Sequence, residues 1–209
     1  MRPKSVTLTL AVDRDGICAA QTTAGAGDLT INGALASGGA YSRSTAQQIG
    51  VYSAADLSAL TFTVYGTGYD SSGRYSASLS DAVTGPNNST TETTSYYLTV
   101  SRVAVSGAVG TNAEVGPVDE AVSQIIPVNR HADFSTGLQT VVSGTINYDT
   151  EYTMGDVQGT SALTWAPATN MDDATASATS AINSAIQAVR VRANSGSDAG
   201  AVILNVVCP

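Results

Sequence analysis

Along most of this chain, apolar side chains alternate one for one with Thr or Ser, in short runs broken by Gly, Asn and Pro. Val6, Leu8, Leu10 and Val12 fall on one side of such a run, with Thr7, Thr9 and Ala11 on the other. A two-residue period fits a strand, whose successive side chains point to opposite faces, and not the 3.6-residue turn of a helix. The pattern confines the chain to strands that bury one face.

The same grammar recurs downstream. Leu60, Phe62 and Val64 alternate with Thr61, Thr63 and Tyr65, and Tyr75, Ala77 and Leu79 alternate with Ser76, Ser78 and Ser80. Tyr69-Asp70-Ser71-Ser72-Gly73 turns the chain between them, and Gly85-Pro86-Asn87-Asn88 breaks it again. Asp13-Arg14-Asp15-Gly16 reads as a hairpin turn, with Gly at its φ > 0 position, leading into Ile17-Cys18-Ala19-Ala20. Leu98 and Val100 share one parity while Val103 and Val105 share the other, so a bulge is expected near Ser101-Arg102.

Farther on, Val142, Ile146, Tyr148, Tyr152 and Met154 line one face. Ser143, Thr145, Asn147, Asp149, Glu151 and Thr153 lie opposite. A closing hairpin is expected to pair residues 189–193 with 201–207. These signals specify an all-β fold, an antiparallel β-sandwich of jelly-roll or Ig-like type, in one domain over residues 1–209. Long loops are expected near 106–127 and 155–185.

One short helix is expected near 171–185. There Asn170 is placed to cap, Asp172 and Asp173 suit the first turn, and Ala174, Ala178, Ala181 and Ala185 repeat at helical intervals.

Composition narrows the partners. Only 26 of 209 residues are charged, whereas Ser, Thr, Ala and Gly make up 101. A net charge of −8 with nine scattered cations disfavours nucleic acid and anionic membrane, which call for clustered Lys and Arg. No run of eighteen apolar residues suggests a transmembrane helix, and the alternating N-terminal run is not a secretory signal. A surface made of Thr, Ser, Gly and Asn is one suited to being covered by neighbours.

Chemistry-bearing motifs are few. His131 is the sole histidine, no Gly-x-Ser-x-Gly elbow accompanies it, and it reads as an ordinary polar loop residue. One His and two Cys nearly exclude a Cys/His zinc site, and Cys18 and Cys208 are either bridged or, the preferred reading, two free thiols. Asp13-x-Asp15-Gly16 opens like a calcium loop but lacks the further oxygen ligands. Asp149 and Glu151 could present the paired carboxylates of a glycosidase, but their Thr- and Asn-rich face reads as a solvated outer face. Tyr96 and Tyr97 should point one ring to each sheet face, leaving at least one outward for a partner. Trp165, on a loop flanked by polar residues, could stack on a sugar if it faces solvent. No catalytic residue, cofactor or metal is expected.

Several stretches, taken in order, resemble a group of small β-rich structural proteins of tailed bacteriophages. They are KSVTLTLAV (4–12) with DRDGI (13–17) and LTINGAL (29–35), and LTFTVYG (60–66) with DAVTGPN (81–87) and LTVSRVAV (98–105). The third is VVSGTINYDTEYT (141–153) with the closing hairpin. The resemblance implies a non-enzymatic virion protein: a decoration or cement protein that binds the major capsid protein lattice and stabilises the head. A neck, tail or fibre component is the alternative within the same group, and a host-surface or carbohydrate-binding module is the alternative outside it. It further implies a homo-oligomer, a trimer favoured by the chain's compactness, located in the virion after assembly in the host bacterial cytoplasm.

Overall fold

The computed structural model describes residues 3–128 and 135–207. Among these residues every regular element is a strand, and there is no helix. In chain order the strands are β1 (Lys4–Thr9), β2 (Cys18–Thr23), β3 (Gly27–Asp28), β4 (Ala36–Ser37), β5 (Ala40–Asp56) and β6 (Thr61–Tyr69). Then come β7 (Tyr75–Thr84), β8 (Asn87–Glu92), β9 (Tyr96–Val105), β10 (Val109–Val122), β11 (Ile126–Pro127) and β12 (Thr136–Ser143). The last are β13 (Ile146–Thr153), β14 (Ala166–Pro167), β15 (Thr179–Ile182), β16 (Ala188–Gly196) and β17 (Ala201–Val207). The fold is an all-β antiparallel sandwich. The described residues divide into two compact units. The first is drawn from Met1–Leu10, Ser72–Arg74 and Asp119–Pro209, and the second from Ala11–Ser71 and Tyr75–Val118.

The first unit is built on a four-stranded sheet in the order β1-β17-β12-β15. Its inward residues Leu8, Val202, Leu204, Val206 and Leu138 are buried, as are Ile146, Tyr148, Val189, Val191 and Ala193 on the opposing strands β13 and β16. Alternation aims each of these sets one way. The Tyr148 hydroxyl lies 2.5 Å from Thr140 Oγ1 of β12 and donates to the Ala176 carbonyl at 2.8 Å, so its polar tip is satisfied inside the core.

In the second unit β10, β5, β9, β6 and β7 are neighbours in that order. Its core holds Ile17, Cys18, Tyr41, Ile49, Phe62, Val64, Tyr97, Val103 and Val115, among others. The β6–β7 hairpin expected from residues 60–80 is present, with Tyr69 opposite Tyr75 and Gly73 at φ +82° in its turn. The bulge expected near Ser101 is there too: Tyr65 faces Arg102 and Gly66 faces Val100, leaving Ser101 without an opposite residue.

Other expectations are corrected. No helix forms at 171–185. Asn170 and Asp173 take φ of +63° and +51°, Ala174 exchanges both backbone bonds with Tyr148, Ala178 pairs with Thr140, and 179–182 is β15. Sheet edges capture the backbone groups a helix would have used internally, and Thr and Ser accept that extended conformation readily. The loop expected at 106–127 contains the 14-residue strand β10, whereas 155–185 is irregular apart from β14 and β15.

Neither terminal hairpin forms. β1 pairs with β17 and β2 with β10, while β16 pairs with β13 and β17 with β1 and β12. The Asp13–Gly16 turn itself is real, closed by Gly16 N donating to the Asp13 carbonyl at 3.1 Å. Gly16 is not at positive φ. A Cβ there would sit 2.8 Å from Leu35 Cδ1, so a larger residue would require that side chain to shift. The single face expected over 142–154 is also interrupted: Gly144 at φ +71° separates β12 from β13, and these strands belong to different sheets.

Candidate functional interface

The paired carboxylates come first, because they were the best placed for chemistry. Asp149 and Glu151 do not lie on a solvated face; both are buried. β13 is flanked by β16 on one edge and by residues 166–174 on the other, which together cover a side that alternation alone would leave wet. Glu151 Oε2 accepts from Arg190 Nε at 2.7 Å, its cross-strand partner on β16. Asp149 accepts from the Asp173 backbone N–H at 2.7 Å and from Asn194 Nδ2 at 3.0 Å. Both carboxylates are committed to internal partners. Neither faces an open cleft of the kind glycoside hydrolysis needs.

Trp165 is half-buried, and the Arg190 guanidinium carbon stands 4.1 Å from its ring centroid. A cation at that distance covers one face of the ring. Asp172, expected at a helix start, lies instead beside Asp149 and Asp173, and burial together with those two charges raises its pKa above the ordinary carboxylate value. Among the described residues, no group of three or more His, Cys, Asp or Glu side chains is arranged to hold a metal ion.

Cys18 is a free, buried thiol whose pKa burial pushes to about 12, so it stays protonated and unreactive. His131 and Cys208 lie outside the described residues. Tyr96 and Tyr97 are both buried, contrary to the outward ring expected, and the Tyr97 hydroxyl donates to the Val64 carbonyl at 3.1 Å. A groove of about 300 Å³ beside exposed Met154 is lined by Tyr152, Gly155, Ala162, Thr164 and Ala166, with no charged group to orient a ligand.

What remains is the outer face of the four-stranded sheet. Register places Thr7, Ile203 and Val141 in one cross-strand row, and Ser5, Asn205, Gln139 and Thr179 in the next. Val207, Gly137 and Ala181 make a third row, and Thr9, Ala201 and Ser143 a fourth. No residue in these rows is charged. Val141 is 44% exposed, Ile203 39% and Val207 52%, three of the five large apolar side chains that the described residues leave in solvent. Lys4, the nearest cation on β1, has the opposite parity and donates to the Pro127 carbonyl at 2.6 Å. Val141 and Ile203 are cross-strand neighbours, so two branched aliphatics stand together in solvent among hydroxyls and amides without a charge.

This face was partly legible beforehand. The scarcity of charge pointed to a coverable surface, but nothing local said that Val141 and Ile203 would stand side by side. That depends on β12 pairing with β17. No family model, curated protein or solved structure matches this chain.

Proposed function

We propose that this protein is a non-enzymatic structural component of a tailed-bacteriophage virion, and specifically a capsid decoration or cement protein. In this role it binds the major capsid protein lattice and stabilises the head. The observation that carries the reading is the uncharged outer face of the β1-β17-β12-β15 sheet, with Val141, Ile203 and Val207 in solvent. A part of a symmetric shell needs modest, shape-fitted contacts that the lattice multiplies, and a neutral hydroxyl-rich sheet face is cheap to desolvate. The order of strand and turn motifs that resembles small phage structural proteins supports the same class. The internal commitment of Asp149 and Glu151 supports a role without hydrolytic chemistry. Arg190 over one face of half-buried Trp165 leaves that ring a poorer sugar platform than an open one.

Mass spectrometry of purified particles tests the proposal. The chain is expected in many copies per particle, and its absence overturns the reading. A copy number matching the capsid lattice supports decoration, whereas a few copies per particle replaces it with a neck, tail or fibre position.

A further inference from the structure

We propose that the outer face of the four-stranded sheet recognises itself: two copies of this chain stack through it, sheet on sheet, about a two-fold axis. The inference concerns the free chain and rests on the assembly reading for the site: the face holds a second copy in solution, and lattice binding replaces that weak pair.

Charge is the main argument. Each copy carries −8, so two copies repel across most approaches. The outer sheet face is a patch without charge, and it spans all four strands. A basic partner would be drawn to acidic surface elsewhere on the molecule and would gain nothing electrostatic here. Another copy of the same face meets no repulsion from the patch itself.

The chemistry is also self-complementary. Thr and Ser hydroxyls donate and accept, as do the amides of Asn205 and Gln139, so a two-fold operation can set donors against acceptors without a second kind of surface. Ile203 lies on β17 between Thr7 and Val141, so its side chain occupies the middle of the patch, where an interface is driest. Two such faces would pack about 10 Å apart, as the layers of a sandwich do.

Area sets the strength. Four strands about 4.8 Å apart and roughly seven residues long give about 400 Å² per face in projection. A pair would bury on the order of 800–1,000 Å², below the roughly 1,200 Å² at which stable interfaces begin. The pair should therefore be weak, with a dissociation constant between about 10 µM and 1 mM. An isologous contact closes at two copies, so the species expected in free solution is a dimer and not the trimer that compactness suggested.

Sedimentation equilibrium of the purified full chain from about 5 µM to 1 mM tests this. The expected result is a monomer–dimer equilibrium that tightens as salt screens the charge repulsion. Ile203→Asp should weaken it by about 30-fold or more, because a buried carboxylate meets its own copy across the axis. Thr7→Lys in the same row should act likewise. Both positions are exposed, and an unchanged far-UV spectrum checks that the variants fold. Tyr75→Asp, at an exposed position on β7, should leave the equilibrium unchanged.

A monomer at all concentrations, a trimer, or a dimer insensitive to Ile203→Asp and Thr7→Lys overturns self-pairing. The two readings fail separately. A wild-type chain that is monomeric yet abundant in particles removes self-pairing and leaves assembly standing. A dimer abolished by Ile203→Asp, with no chain found in any particle, removes the virion role and leaves self-pairing standing.

Discussion

Arg190 is the residue on which most depends in the first unit. Its side chain and that of Glu151 are each less than a tenth exposed, they meet at 2.7 Å, and the guanidinium also stacks on Trp165. Removing one member of a buried pair strands the other charge, so Arg190→Ala should cost about 3–5 kcal/mol in urea unfolding. Replacing both, as Arg190→Met with Glu151→Leu, should recover most of that loss, because no buried charge remains. A double variant as unstable as Arg190→Ala would show that packing against Trp165, and not charge, is what Arg190 supplies.

Asp172 is governed by desolvation and by repulsion instead. Burial and the neighbouring Asp149 and Asp173 raise its native pKa above the ordinary 3.8. Between those two values the native state holds a proton that the unfolded chain has lost, so this contribution to stability falls as pH rises through the window. Asp172→Asn removes that fall. The variant should exceed the wild type in urea midpoint above the window, and the difference should shrink as pH drops towards 3.8. A constant difference at all pH values would trace the effect to geometry. Neither environment was legible locally: Asp149 and Glu151 sit on a parity shared with Thr and Asn, and they are enclosed by partners distant in sequence, Arg190 and Asn194 of β16 and the segment laid along β13.

At the scale of the element, alternation located β1, β6, β7 and β9, missed β10, and said little about partners. The bulge in β9 was readable because a parity slip is a local event, recorded in adjacent residues. Gly66 stands opposite that bulge on β6, and a Cβ there would lie 1.8 Å from the Thr99 carbonyl oxygen. Gly66→Ala should therefore destabilise by about 1–3 kcal/mol, since backbone must shift to admit the methyl group. Gly110→Ala, on β10 with nothing within 4 Å of the added atom, serves as the neutral comparison by thermal melting. Equal losses at both positions would point to glycine's backbone freedom in place of close packing. The helix expected at 171–185 failed for a related reason: Ala at helical intervals is a weak signal when neighbouring strands offer the same backbone groups ready partners.

The whole molecule is held by pairings distant in sequence. Lys4 of β1 faces Val206 of β17, and β17 lies between β1 and β12 in the four-stranded sheet. Ending the chain at Gly200 would remove the strand that joins β1 to β12 and leave Leu8 and Leu138 without their inner neighbours. Such a truncation should lose the cooperative unfolding transition followed by Trp165 fluorescence; its persistence would show that the sheet tolerates the gap. Non-local pairing also slows folding, so the full chain should refold in about a second or longer after dilution from urea. What could be read directly from the residues was the all-β class, the phase of β1, β6 and β7, the bulge in β9, the turns at Gly73 and Gly85, and a surface poor in charge. Those are properties of neighbouring residues, set by a two-residue period and by turn stereochemistry. Which strands pair, which carboxylates become buried and which neutral residues assemble into one exposed face depended on tertiary contacts. Val/Thr strands are nearly interchangeable in what they can pair with, and only competition for the same backbone and core across some 200 residues selects one arrangement.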